Sequence, residues 1–455
     1  MTSVAHPASN ALAENDFLGH PRGLAYIVFA EAWERFSFYG MQALLVLYMS
    51  SYLLRDGNSD QILGFAAFSG LITAVFGDLS IQALTAQIFG LYVGLIYLAP
   101  VLGGYLGDRF LGRTRAVTMG AGSMVLGHFL MVFESAFLLA LACLITGCGL
   151  LKGNLAAQVG DLYQTSDQRR DTAFTMYNVA VTAGGTLAPL VCGTLGERYG
   201  WHYGFGAAGV GMVVGCFVYL SGRHYLPPDR PRLRGPGVTA LTPSDYGKVL
   251  AVFVLILVAS LFWIGQAQVW NSYPLWIQAR VDRALFDNIV PVTWFQSIDA
   301  GAALVLVPVV LWFWRWQRVR QVEPTECRKI AIGFCFLASA YLALVLGEWA
   351  ATPADSVLMR WLLLFHLLIG TAFLFIGPVM MSLISRAAPT SINATLVSCY
   401  YFAIFLGGLF SGWLGRFYEP LGPVYFWSLH ALIALVGAML ILGLQAWLQR
   451  VLIDP

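Results

Sequence analysis

The chain has 455 residues, of which 58% are hydrophobic and only 11% charged, and its mean hydropathy is +0.70. A soluble domain carries about 25% charged residues, so a water-facing surface could not be covered and lipid is the expected solvent over most of the molecule. The net charge of +2 points to no nucleic-acid partner, and without a Walker A sequence ATP is not expected to drive the protein directly.

The polar opening, MTSVAHPASNALAENDF, lacks a basic segment followed by an apolar core, so no cleaved signal peptide is expected and the first apolar helix should direct insertion. Apolar runs long enough to cross a bilayer, roughly 17–25 residues each, then recur along the chain. They fall near 23–53, 82–106, 114–133, 136–158, 173–195, 203–221, 246–272, 291–314, 329–347, 356–384, 391–415 and 423–449. A shorter apolar stretch at 60–77, between Asp60 and Asp78, reads as a re-entrant or interfacial piece outside the membrane. Of the seven cysteines six lie in apolar segments and none forms a C-x-x-C, which favours packing over a disulfide framework or metal site.

With the N-terminus inside, eighteen Lys and Arg fall on the cytoplasmic side and six on the outer side, while Arg35 and Lys152 lie within helices. That asymmetry places both termini in the cytoplasm. The basic, Pro- and Gly-rich stretch around 221–246 divides the chain six crossings from six. The expected organisation is a tail at 1–22, a six-helix bundle at 23–221, a cytoplasmic linker at 222–245, a second bundle at 246–450 and a tail at 451–455. This all-α integral membrane architecture, twelve helices as two six-helix bundles, resembles the major facilitator superfamily, whose substrate site lies near the midplane between the halves.

Residues 103–115, GGYLGDRFLGRTR, resemble that superfamily's cytoplasmic signature after the second crossing. The resemblance implies a conformational gate in which Gly104 permits close helix contact while Asp108, Arg109 and Arg113 form a charge cluster that breaks and reforms as the halves rock.

The first crossing contains Glu31, Glu34, Arg35, Phe38, Tyr39 and Gly40. An ionisable residue at a helix centre costs roughly 2.5–3.5 kcal/mol on insertion scales, so three in one apolar helix need partners and a wet face. At 100° per residue Glu31, Arg35, Phe38 and Gln42 share one stripe with Glu34 on its flank. A purely structural ion pair from Glu31 to Arg35 is the simpler alternative. The pattern E-x-x-E-R-F-x-F-Y-G is similar to the first-helix motif of the proton-coupled oligopeptide transporters (the POT family). The likeness continues through GCGLLKGNLAAQVGDLY at 147–163, which places Lys152 in the fourth crossing, and through FW-x-x-x-x-Q and WFQSI in the seventh and eighth. It implies that Glu31, Glu34, Arg35 and Lys152 couple protons, with Arg35 and Lys152 also available to the substrate.

The chain departs from that pattern in its second half. Ala267 stands where the family has an acid, Trp270 replaces the glycine two residues after the usual Gln, here Gln268, and Phe373 replaces the glutamate that receives a peptide's amino terminus. Asn178 and Thr182 take the places of a Tyr and an Asn, and Tyr400 that of a Trp. One acid is gained: Asp299, where relatives commonly carry Asn. It either pairs with Lys152, receives the substrate's amine, or faces a wet cavity without a specific partner. The substrate-binding set implied is Arg35, Phe38, Tyr39, Lys152, Asn178, Thr182, Gln268, Trp270, Asp299, Phe373 and Tyr400; the proton-coupling set is Glu31, Glu34, Arg35, Lys152 and Asp299. Aromatic residues in helices are usually packing, which remains the alternative for Trp270, Phe373 and Tyr400. His128, His366 and His430 read as hydrogen-bonded packing residues rather than relays.

The expected function is proton-coupled import of di- and tripeptides by a monomer in a bacterial inner membrane, with no cofactor beyond the proton, no metal, and no obligatory protein partner. A non-peptide anionic or modified metabolite, and a non-transporting peptide receptor, are the alternatives. An enzyme is not expected, for no nucleophile–base pair stands at recognisable spacing.

Overall fold

A computed structural model of the chain describes residues 15–55, 57–164, 166–229, 243–351, 356–389 and 392–452. The expected tails therefore lie largely, and residues 230–242 of the linker wholly, outside the described residues. Lipid cannot hydrogen-bond a backbone, so an apolar run there must satisfy its own N–H and C=O groups as helix, and the described chain is almost entirely helical. In order the helices are α1 (Arg22–Tyr48), α2 (Phe65–Phe76), α3 (Ile81–Leu106), α4 (Arg113–Leu130), α5 (Phe137–Asp161), α6 (Arg169–Ala188), α7 (Thr194–Tyr199) and α8 (Trp201–Gly222). There follow α9 (Pro243–Gln268), α10 (Ser272–Arg280), α11 (Thr293–Val319), α12 (Glu326–Ala350), α13 (Met359–Ala387), α14 (Asn393–Ser398), α15 (Tyr400–Gly415) and α16 (Tyr418–Leu452).

Among the described residues ten spans are long and apolar enough to cross a membrane. Helices α1, interrupted by Glu31, Glu34 and Arg35, and α4, rich in Gly, complete the twelve. The fifth crossing is longer than expected: α6 starts at Arg169 and continues through a π turn, Pro189–Gly193, into α7. The seventh, expected as one helix over 246–272, is broken. Asn271 leaves helical geometry (φ −110°, ψ −95°) between α9 and α10. Side chains repair the break: Gln268 Oε1 accepts from Ser272 N at 3.3 Å, and Gln268 Nε2 donates to Ser411 O at 3.2 Å. Asn271 Nδ2 donates to Ala86 O at 3.2 Å and Ser411 Oγ at 3.3 Å. The segment at 60–77 holds α2, bounded by left-handed Gly64 and Gly77, and only Ile72 of that helix is buried.

The chain forms two compact units, one of residues 1–41 and 99–233, the other of 42–98 and 234–455. In the first, α4 packs on α5 and α8, and small residues allow close approach. A Cβ on Gly120 would stand 2.7 Å from Gly147 O, and one on Gly184 only 2.5 Å from Ala32 O. In the second unit α12 packs on α13 and α16, and α9 on α15. Residues 81–98 of α3 meet α15 through Gly90, whose added Cβ would lie 2.6 Å from both Gly408 O and Gly412 Cα.

Candidate functional site

In the first unit α1 is clamped by glycines on its neighbours. Gly184 of α6 lies against Ala32 and Arg35, Gly185 against the Tyr39 ring, and Gly211 and Gly215 of α8 against Phe36 and Trp33. This close packing holds a charged cluster with almost no freedom to reach water. Arg35 Nε donates to Glu31 Oε1 at 2.9 Å and lies 2.6 Å from Glu34 Oε2, and all three residues are at most 2% exposed. The Tyr177 hydroxyl bears on Glu31 from α6. Phe38 is buried beneath both cations, with Arg35 Cζ 5.4 Å and Lys152 Nζ 5.9 Å from its ring centroid, distances suited to cation–π attraction.

The cluster is only partly satisfied. Among the described residues Glu31 Oε2, both Glu34 oxygens and Arg35 Nη2 are buried without a hydrogen-bond partner. A buried polar atom left unpaired costs about 1–3 kcal/mol. Such a cluster retains spare capacity: a donor for an incoming carboxylate and a carboxyl able to hold a proton. Lys152 and Tyr39 are half-buried, Asn178 is exposed, and Thr182 is half-buried with its hydroxyl turned to Asn178 O at 3.0 Å.

At the Gly-Asp-Arg signature Arg113 bridges Asp108 (3.1 Å) and Asp161. Arg109 instead lies over the rings of Tyr105 and Phe110, at 5.9 and 5.8 Å. The close contact expected of Gly104 is made by its neighbours. A Cβ on Gly104 would meet nothing within 4 Å, whereas one on Gly103 would stand 2.0 Å from Gly149 O and one on Gly107 2.1 Å from Asn154 Oδ1. Consecutive helical residues point about 100° apart, so a one-residue offset decides which glycine faces α5. Asp229 caps α4 by accepting from Thr114 N at 3.1 Å and from its hydroxyl.

In the second unit Asp299 of α11 accepts from Gln266 Nε2 of α9 at 2.9 Å, beside Ala267. Trp263 Nε1 donates to the Tyr400 hydroxyl at 3.3 Å, and the Phe373 ring lies 6.4 Å from both Trp263 and Phe262. The same stretch of α9 thus bonds the Asp299 carboxylate at Gln266 and joins an aromatic group at Trp263. Gln268 and Trp270 are buried at the helix break, where Gln268 serves the backbone. The sequence reading overlooked Tyr177 and Gln266. The i, i+3, i+4 face Trp263, Gln266, Ala267 carried the signal for the latter, because all three are partly exposed on one side of α9. Of the buried histidines, His366 Nε2 pairs with the Tyr273 hydroxyl at 3.1 Å and His430 Nδ1 with Phe426 O at 2.9 Å. His128 is fully buried, but neither of its nitrogens has the hydrogen-bond partner expected of it among the described residues. No group of three or more His, Cys, Asp or Glu among the described residues is placed to hold a metal.

A family model described as the POT family matches residues 114–232 and 237–420. The chain is 26% identical to the uncharacterized transporter YclF of Bacillus subtilis, over 97% of this chain and 96% of that one. It is also 26% identical to the peptide transporter YePEPT of Yersinia enterocolitica, over 90% of each. Its fold matches a crystal structure of a peptide transporter POT in complex with sulfate, with a TM-score of 0.85 and 25% identity over 99% of this chain and 100% of that one.

Proposed function

Because the chain belongs to the POT family of membrane transporters, we propose that it is a proton-coupled symporter importing di- and tripeptides by alternating access. The observation that carries this reading is the buried, partly unsatisfied set Glu31, Glu34 and Arg35, with Lys152 across the Phe38 ring. A cation held by two carboxylates favours their charged forms; a substrate carboxylate that takes Arg35 withdraws that support, so one glutamate gains a proton as the peptide binds. Proton and peptide then cross together. Asp299 supplies the second coupling group. Its bond to Gln266, next to Ala267, brings a carboxyl from α11 to the face of α9 that lacks one. In this reading it receives the peptide's amine.

The protein is a multi-pass membrane protein; the reading places it as a monomer in a bacterial plasma membrane with both termini inside, supported by the bacterial relatives and the Lys and Arg asymmetry. A second reading, transport of an anionic metabolite lacking a free amine, is favoured by one observation: Phe373 packs against Trp263 and Phe262 where an acid would meet an amino terminus. Competition against dialanine uptake in proteoliposomes separates the two. Unlabelled dipeptides should compete and N-acetylated dipeptides should not; the opposite ranking would favour the second reading.

A further inference from the structure

The second unit holds a half-open cavity of about 620 Å³, with charged and amide side chains on its wall, where four of its segments end or begin. Ser50 and Ser51 come from the π turn Met49–Leu53 that closes α1, Arg55 follows that turn, Gln82 lies in the first turn of α3, Gln278 in α10 and Glu419 in the first turn of α16. None belongs to the substrate-binding or proton-coupling sets above: α1 carries Arg35 near its middle and Ser50 only past its end. Ligand sites typically occupy about 300–1,000 Å³, so the volume suits a small solute.

The walls are arranged for charge. A π turn, frequent at functional sites, presents Ser50 O to Arg55 Nε at 2.7 Å and so anchors the guanidinium at the rim. Ser80, whose hydroxyl caps α3 by accepting from Ala83 N at 3.2 Å, also donates to Glu419 Oε2 and fixes the carboxylate. Among the described residues no ion pair joins Arg55 to Glu419, although both line the cavity. Gln82 Nε2 is buried with no acceptor. One cation, one anion and an unsatisfied amide donor around one cavity are the complement of a molecule bearing both charges. Arginine reads a carboxylate through a charge-assisted and often bidentate bond, and a carboxylate takes an ammonium.

We propose that this cavity is a second binding site, for a small zwitterion with a free carboxylate on Arg55 and a free ammonium on Glu419, Gln82 serving the polar groups between. This deepens the peptide reading, since a short peptide is such a zwitterion, and rests on it for the choice of probe. The test is equilibrium binding of radiolabelled dialanine to the full-length protein in lipid nanodiscs. With Arg35→Ala disabling the α1 cluster, about one site per chain should persist. Adding Arg55→Gln or Glu419→Gln should weaken it by about tenfold or more, and N-acetylalanine methylamide, which has neither charge, should not compete. The paired reversal Arg55→Glu with Glu419→Arg should restore part of the binding, which a merely misfolded variant could not do. Loss of all binding in Arg35→Ala, or residual binding indifferent to Arg55→Gln and Glu419→Gln, would overturn the proposal. Binding that depends on Arg55 without any dialanine uptake would keep this site and refute the symporter; uptake without such binding would do the reverse.

Discussion

Glu34 lies 2.6 Å from Arg35 Nε, yet neither of its oxygens has a hydrogen-bond partner among the described residues. A carboxyl so placed is held chiefly by the charge of Arg35, and that charge is what a substrate can displace. Glu34→Gln keeps the shape and removes the proton site, so gradient-driven accumulation should fall by about tenfold or more while peptide counterflow persists; parallel uptake and counterflow assays read the two. Asp299→Asn keeps an acceptor for Gln266 and removes the charge, so it should flatten the pH dependence of uptake; an unchanged profile would remove Asp299 from the coupling set. Outside the membrane, hydrogen bonds from Arg318 (2.8 Å) and Lys329 (2.5 Å) hold the Glu323 carboxyl down from its ordinary 4.5 to about 2. A depressed carboxylate stabilises the fold above its unfolded value and ceases to do so as pH falls toward 2. Wild type should therefore lose more melting temperature than Glu323→Gln between about pH 5 and pH 3. The α1 cluster was legible because three ionisable residues in an apolar helix have no bland placement. Gln266 carried only the weaker signal of the face it shares with Trp263 and Ala267, because the family spacing leads to Gln268, which the fold spends on its own backbone.

The helices were legible as apolar runs, and their limits mostly agree with the expected crossings. The break after Gln268 was not, for no Pro or Gly stands at 269–271 and the polar Asn271 and Ser272 do not by themselves end a helix. What permits the break lies elsewhere in the chain, in Ser411 and the Ala86 carbonyl that receive Asn271 and Gln268. Asn271→Ala should cost about 1–3 kcal/mol by leaving those groups unpaired, read as a lowered thermal midpoint in detergent. Contact faces are likewise set by position on the helix rather than by residue type. Gly103→Ala would drive a methyl into Gly149 O at 2.0 Å while Gly104→Ala meets nothing within 4 Å. The first should destabilise by about 1–3 kcal/mol or more and the second hardly at all; equal effects would contradict the packing of α3 on α5.

For the whole molecule, the twelve-helix architecture and the family were legible from hydropathy and from motifs spread over both halves. The compact units were not. Residues 42–98 cluster with the second half rather than the first, through contacts such as Gly90 on Gly412 that no local pattern records. The departures from the family pattern that the resemblance implies at Ala267, Phe373 and Asp299 all fall in the second half of the chain, and transport is where they would show. The most direct test is uptake of radiolabelled dialanine into proteoliposomes containing the purified protein, with and without an inward proton gradient. Accumulation that requires the gradient, and is abolished by Glu34→Gln or Lys152→Ala, is the predicted result. Absence of both uptake and peptide counterflow in the wild type would contradict the account.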